Sequence, residues 1–277
     1  MPCAPSLAKF TTLSRLGLTP GIPPPIPVKT PAVTGSKSFL DAPEASSLLL
    51  RTRIHQEKVE KRMASRTIVV GDIHGCYDEL EDMLTEVNFG EGDRLISVGD
   101  LITKGPKNRQ VLERFMTDAQ FSAVIGNHDL ALRRRWNGEK FKLKESQKPT
   151  HKELKKDKDQ YLPYLNSLPF VIDLETHLVV HAGIRPGVAL HSQTTDDLTE
   201  LRSLGKDRAA RDGTPWYQEY DGEKVVLFGH WPAPEPRRGR KAIGLDTGCV
   251  YGNKLTAYII ETGEFKAVRA RRTYDPS

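Results

Sequence analysis

Cysteine is scarce in this 277-residue chain. Cys3, Cys76 and Cys249 are odd in number and unpaired in spacing, which argues against a disulfide framework and against a cysteine-built zinc site. A reduced compartment, the cytoplasm, is the expectation. No run approaches the roughly 18 consecutive apolar residues that a membrane helix needs, so no membrane partner is expected. Acidic residues are missing from the first forty positions: none precedes Asp41, whereas Lys9, Arg15, Lys29 and Lys37 are basic. The same stretch carries Gly21-Ile22-Pro23-Pro24-Pro25-Ile26-Pro27, which fits neither a regular helix nor a central strand. Residues 1–65 are therefore read as a disordered, Pro-rich extension, with one helix fitting Leu48 to Met63. Its acid-poor composition also resembles an organelle-targeting segment, but its prolines spoil an amphipathic helix. The remaining chain, 66–272, is read as one folded domain.

What the chain does have is a recurrent arrangement of short apolar runs, each followed by polar chemistry. Thr67 to Val70, Leu95 to Val98, Ala123 to Ile125 and Leu178 to Val180 are too short for helices and rich enough in Val and Ile for buried strands. They run into Gly71-Asp72-Ile73-His74-Gly75, Gly99-Asp100, Gly126-Asn127-His128-Asp129 and His181-Ala182-Gly183. Val225 to Phe228 runs likewise into Gly229-His230. In open α/β sheets ligands bind at such carboxyl ends. Strands at 67–71, 94–98 and 122–126 alternate with helices near 77–88 and 107–117, which predicts an α/β domain built on a βαβαβ unit. One histidine at a strand end would mean little, but four clusters within about 110 residues describe a dinuclear metal site. Asp72 and His74 alternate along an extended segment and can converge on one ion, and Asp100 is placed to bridge two. Mixed Asp, Asn and His donors without thiolate suit Mn²⁺, Fe or Zn²⁺ better than Ca²⁺. His128, next to Asn127, is expected to point away from the metals and to be free for proton transfer.

These five blocks, in this order over Thr67 to Ile260, resemble the signature of the phosphoprotein phosphatase superfamily of calcineurin-like metallophosphoesterases. Gly99 to Pro106 (GDLITKGP) and Gly244 to Ala257 (GLDTGCVYGNKLTA) are similar to its ApaH branch, the symmetrical diadenosine tetraphosphatases and their ApaH-like relatives. The resemblance implies a central β-sandwich flanked by helices. It implies two divalent ions, Mn²⁺ first and Fe or Zn²⁺ as alternatives, one held by Asp72, His74 and Asp100, the other by Asp100, Asn127, His181 and His230. Such a pair lowers the pKa of a water and holds phosphoryl oxygens. It further implies His128 as the proton donor to the leaving oxygen, with Lys104 and Arg202 neutralising developing charge. Protein Ser/Thr phosphatases have Asp-Arg-Gly where this chain has Thr103-Lys104-Gly105, so the carboxylate that supports their catalytic histidine is missing. Lysine at 104 resembles the eukaryotic ApaH-like group, whose members include phosphatases acting on polyphosphate or capped RNA.

The segment Arg133 to Gln160 holds eleven Lys or Arg against five Asp or Glu, a surplus that accounts for the chain's net charge of +5. It reads either as an electropositive cap that draws a polyanion to the site or as a solvated insertion. Arg237, Arg238, Arg240 and Lys241 follow His230 in the same manner. No aromatics interleave these cations as base stacking would require, so long nucleic acid is not the favoured partner. His55, His151, His177 and His191 are expected to be structural or solvated, Cys76 to be a small buried hydrophobe, Trp231 to pack beneath its loop and Asp246 to support the site or a turn. The expected substrate is a small polyanion, above all diadenosine tetraphosphate cleaved to ADP. An endopolyphosphatase, a protein phosphatase or broad phosphomonoesterase, and a non-catalytic polyanion-binding module are the alternatives.

Overall fold

A computed structural model describes residues 65–276, within the unit Arg51–Ser277; the extension and the helix expected at Leu48 to Met63 lie outside the described residues. Thr67–Val70 (β1), Tyr77–Glu86 (α1), Arg94–Ser97 (β2), Asn108–Thr117 (α2) and Phe121–Ala123 (β3) form the expected alternation. Helices Asn127–Trp136 (α3), Lys148–Leu154 (α4) and Lys158–Ser167 (α5) come next, then Val171–Asp173 (β4), His177–Val180 (β5) and Thr195–Glu200 (α6). Ser203–Leu204 (β6), Thr214–Pro215 (β7), Trp216–Glu219 (α7), Val225–Phe228 (β8), Arg237–Arg238 (β9), Ala242–Gly244 (β10), Lys254–Ile259 (β11) and Glu264–Arg269 (β12) complete the order.

Two five-stranded sheets face each other, in the orders β12-β11-β1-β2-β3 and β4-β5-β8-β10-β9. Their central pairs are parallel: β1 with β2, β2 with β3, β5 with β8, and β8 with β10. Strands so placed are covered on both faces, which is why they read as unbroken apolar runs. In β1, Val69 enters the core shared between the sheets with Ile96, Val98, Val179 and Leu227. Its neighbours Ile68 and Val70 point the other way, into the layer with Leu80 and Met83 of α1 and Val111, Leu112 and Phe115 of α2. Those helix residues recur at three- and four-residue spacing, so each helix presents one apolar stripe. On the outer face of the second sheet, Leu178, Val180, Val226 and Phe228 pack on Trp216, Tyr217 and Leu198. The expected sandwich flanked by helices is present. All four parallel ladders end at one rim, where β1, β2, β3, β5 and β8 deliver the polar clusters.

Candidate active site

At that rim the predicted residues meet. Asp100, 2% exposed, lies at the centre. Its Oδ2 is 3.5 Å from Nε2 of His74 and 3.5 Å from Nε2 of His181. Asn127 Oδ1 is 3.0 Å from His181 Nε2 and 3.3 Å from His230 Nδ1. Both oxygens of Asp72 accept from the His230 backbone N–H, at 3.2 and 3.1 Å. One ligand atom each from Asp72, Asp100 and His181 lie within 4.8 Å of one another. The six residues come from five strand ends.

This convergence requires unusual backbone. Six non-glycine residues have positive φ among the described residues, and five of them are His74, Asp100, Thr103, Lys104 and His230. Such clustering marks strain held in place by surrounding structure. Gly229 and Gly126 make the approach feasible: a Cβ at Gly229 would lie 1.9 Å from Asp72 Oδ1, and one at Gly126 would lie 2.1 Å from Asp100 Oδ1. Asp129, fully buried, accepts from the backbone N–H groups of Gly126, Leu101 and Ile102 and so ties the loop after β2 to the start of α3. An acid at the third position of a helix is a legible capping signal, although its second role across the loop is not.

The donor set fits divalent cations. Nδ1 of His74 lies 3.3 Å from the Ile102 carbonyl and Nδ1 of His181 lies 3.0 Å from that of Val98. A carbonyl only accepts, so Nδ1 carries the proton in each ring and Nε2 presents its lone pair. The His181 lone pair then faces oxygens of Asn127 and Asp100, an arrangement of acceptors that a cation resolves. His230 Nε2 is buried without a hydrogen-bond partner. Burial, with the nearby Asp246 and Asp100, pushes the Asp72 carboxyl well above its usual range. Burial likewise raises Asp100 to about 7 and holds His74, His181 and His230 below the ordinary histidine value, which favours neutral rings. Carboxylates that cannot easily ionise beside imidazoles that cannot easily protonate form a site lacking positive charge at its centre.

His128 does not point away as expected. It lines the same cavity of about 200 Å³ as Asp72, His74, Asp100 and His230, because the first turn of α3 lies directly under Asp100, whose Oδ1 accepts from His128 N–H at 2.9 Å. Its ring meets that of His74 edge-on, with centroids 5.1 Å apart. Thr103 Oγ1 is 2.7 Å from His128 Nδ1, so a hydroxyl stands where the protein phosphatases have a carboxylate. Burial, then Lys104 and Lys144, lower the His128 pKa well below the ordinary value. Lys104 Nζ donates to the Tyr251 hydroxyl at 2.7 Å and lies 3.3 Å from His74 Nε2. Burial works against its charge, yet Tyr251 and Asp100 outweigh that and hold its pKa up.

Arg202 is placed at the site too. It follows α6, lines the cavity, and its Nη2 is 3.4 Å from the His230 carbonyl oxygen. Its side chain is half-buried on a loop. Lys144, Arg211, Tyr251 and Asp246 also line the cavity, and only Asp246 had been singled out as a supporting residue. From the basic segment, Lys144 and Ser146 alone reach it; Arg133, Arg134 and Arg135 instead continue α3. Arg237 and Arg238 do not line it: they stack on Trp231 and Phe265 at 4.3 and 4.5 Å. Trp231 packs with Tyr217 as expected. His151 accepts from Trp136 Nε1 at 2.9 Å, His177 pairs with Thr176, His191 is exposed and Cys76 is a core residue. His55 lies outside the described residues.

The sequence pattern of calcineurin-like phosphoesterases matches residues 65–268. The chain belongs to that family. This phosphoesterase is 32% identical over 252 residues to a symmetrical bis(5'-nucleosyl)-tetraphosphatase of Vibrio parahaemolyticus, covering 69% of this chain and 93% of that one. It is 30% identical over 237 residues to the asymmetrical bis(5'-nucleosyl)-tetraphosphatase PrpE of Bacillus subtilis, covering 76% and 96%. The crystal structure of a provisionally assigned diadenosine tetraphosphatase superposes with a TM-score of 0.64 at 31% identity, over 74% of this chain and 93% of that one. The chain is thus a hydrolase of phosphoester or phosphoanhydride bonds, and its family implies divalent metal ions, for which the Asp and His groups supply donors. No helix among the described residues is long and apolar enough to cross a membrane.

Proposed function

We propose that this phosphoesterase hydrolyses the phosphoanhydride chain of dinucleoside polyphosphates, cleaving diadenosine tetraphosphate to ADP, with two divalent ions of which manganese is the first choice and iron or zinc the alternatives. The observation that carries this reading is the lining of the cavity. Four cations, Lys104, Lys144, Arg202 and Arg211, surround the Asp and His cluster. A phosphomonoester presents at most two negative charges, which two divalent ions already neutralise. Further cations around the same cavity suit a chain of several phosphates. The named relatives support the nucleotide substrate, and Thr103 in place of a carboxylate argues against a protein phosphatase.

Asp72, His74 and Asp100 would hold one ion, and Asp100, Asn127, His181 and His230 the other. When bound, the ions supply Lewis-acid polarisation of phosphoryl oxygens and a water of lowered pKa. The chain's own groups do the rest. Thr103 orients the His128 ring and leaves its Nε2 free to give a proton to the leaving oxygen. Lys104, anchored by Tyr251, faces the phosphoryl group being transferred, and Arg202 faces it from the opposite loop. The negative charge of an arriving polyphosphate offsets Lys104 and Lys144, two causes of the low His128 pKa, and so favours the protonated acid.

A second reading has its own observation. Arg135, Lys140, Lys142 and Lys148 line a separate groove of about 540 Å³, which suits a longer polyanion such as inorganic polyphosphate. Purified protein with Mn²⁺ should be tested on diadenosine tetraphosphate, long-chain polyphosphate and a phosphopeptide, with products separated by chromatography. ADP as sole nucleotide product supports the proposal, and His128→Asn should lower kcat by about 10² to 10⁴. ATP with AMP would move cleavage to the asymmetrical position. Shortened polyphosphate with intact nucleotide would favour the second reading.

A further inference from the structure

Beside the catalytic cavity lies a second one of about 400 Å³, and Lys104 and Ser146 line both. The two spaces are therefore adjoining. At about 200 Å³ the catalytic cavity is smaller than the roughly 300–1,000 Å³ of most ligand pockets, while its neighbour falls inside that range. Their charge differs. The catalytic cavity sets four cations against Asp72, Asp100 and Asp246, whereas the second sets Lys104 alone against Glu145, Glu153 and Asp275. A phosphate chain running on into the second cavity would meet like charge. An uncharged group bearing hydroxyl and amino donors would meet acceptors, with Pro149 and the Tyr274 ring as apolar wall. A ribose linked to a base with an exocyclic amine has that chemistry, since carboxylates accept from such amines.

We propose that the cavity lined by Glu145, Pro149, Glu153 and Tyr274 is the nucleoside subsite of this enzyme, receiving one ribose and base while the attached phosphates lie in the metal cavity; this rests on the dinucleoside polyphosphate reading above. Lys104, on the wall common to both, stands where the phosphate chain would pass from the metal cavity toward the nucleoside. Glu153 Oε2 accepts from Asn108 Nδ2 at 2.9 Å, and Asn108 Oδ1 accepts from Thr103 N–H at 2.8 Å. Occupancy of the subsite is in this way connected to the residue that orients His128.

The test is the ratio of kcat/KM for diadenosine tetraphosphate to that for inorganic tetraphosphate, in the full chain and in Glu153→Lys. A lysine there removes an acceptor for ribose or amine and adds a partner for phosphate, so the ratio should fall about tenfold, carried mainly by KM for the nucleotide. Glu145→Lys makes the same charge reversal at an exposed side chain that does not touch Asn108, and it decides the matter if Glu153→Lys loses activity on both substrates. A ratio unmoved in the deciding variant, with the unaltered chain cleaving diadenosine tetraphosphate, overturns the subsite alone. Failure of the unaltered chain to cleave that nucleotide overturns the function on which the subsite rests.

Discussion

Thr103→Val isolates one hydrogen bond in the site. Thr103 is fully buried at φ 83°, with Oγ1 2.7 Å from His128 Nδ1 and 3.5 Å from His74 Nδ1. Valine keeps the branched shape and carries the same backbone strain as threonine, so only the hydroxyl is lost. His74 retains its contact with the Ile102 carbonyl, whereas His128 Nδ1 is left buried without a partner. An unsatisfied buried group of this kind costs about 1–3 kcal/mol, and each kcal/mol lowers Tm by about 2–4 °C in a domain of this size. The effect on rate depends on what is being cleaved. If Thr103 acts by orienting the acid, a loss near 1.4 kcal/mol in the transition state reduces kcat about tenfold on diadenosine tetraphosphate, whose leaving ADP oxygen takes a proton. p-Nitrophenyl phosphate has a good leaving group that needs little acid help and should lose less than threefold. Steady-state kinetics on both substrates, with metal content measured in the same preparations, gives the comparison. Equal losses on the two would refute the orienting role and leave Thr103 as a packing residue.

Gly229→Ala should strip metal from the protein, because the added Cβ would fall 1.9 Å from Asp72 Oδ1 and 2.6 Å from Val98 Cγ2; metal analysis showing an undiminished load would contradict the proposed ligand set. Chelation should abolish turnover and lower Tm, with both restored by Mn²⁺, since removing the ions leaves Asp72 and Asp100 buried near each other with Lys104 offsetting only part of their cost. In the stripped protein the Asp100 pKa stands at about 7 against an ordinary 3.8, so its own contribution to stability is full below about pH 4 and is lost as pH rises toward 7, while the buried histidines, held below their ordinary value, work in the other direction; Asp100→Asn should therefore raise Tm relative to the unaltered stripped protein more at pH 7 than at pH 4, and an equal difference at both would break this electrostatic account.

The parts of this molecule legible in its sequence are those where one local rule suffices. Thr67 to Val70 announces a buried strand because both its faces are covered, and the glycine and acid after it announce the rim. The limits of α1 and α2 lie within two residues of the expected 77–88 and 107–117, because a single apolar stripe decides each helix. His128 was misplaced because its direction follows from the path of α3 under Asp100, a contact across 28 residues. Lys144 was legible only as one cation of a basic segment and Arg211 not at all, for the same reason: cations on loops distant in sequence resemble all other surface cations until the fold brings them to one cavity. Arg237 shows the opposite error, since proximity in sequence to His230 did not bring it to the site and its guanidinium covers Trp231 instead.

The left-handed residues give the site a physical logic that its ligand set alone does not. His74, Asp100 and His230 each take a left-handed step two to four residues beyond a strand end, and side chains from separate strands meet there in one small volume. Left-handed backbone at non-glycine residues costs of order 1 kcal/mol or more each, and the buried carboxylates add repulsion. Asp129 meets part of this by holding three backbone N–H groups of the two loops. The remainder would be met by cations held at the centre, because positive charge there satisfies Asp72, Asp100 and His181 together. Metal affinity and loop stability are then one quantity seen from two sides, and a substitution that relaxes a strained loop should weaken metal binding even where it touches no ligand.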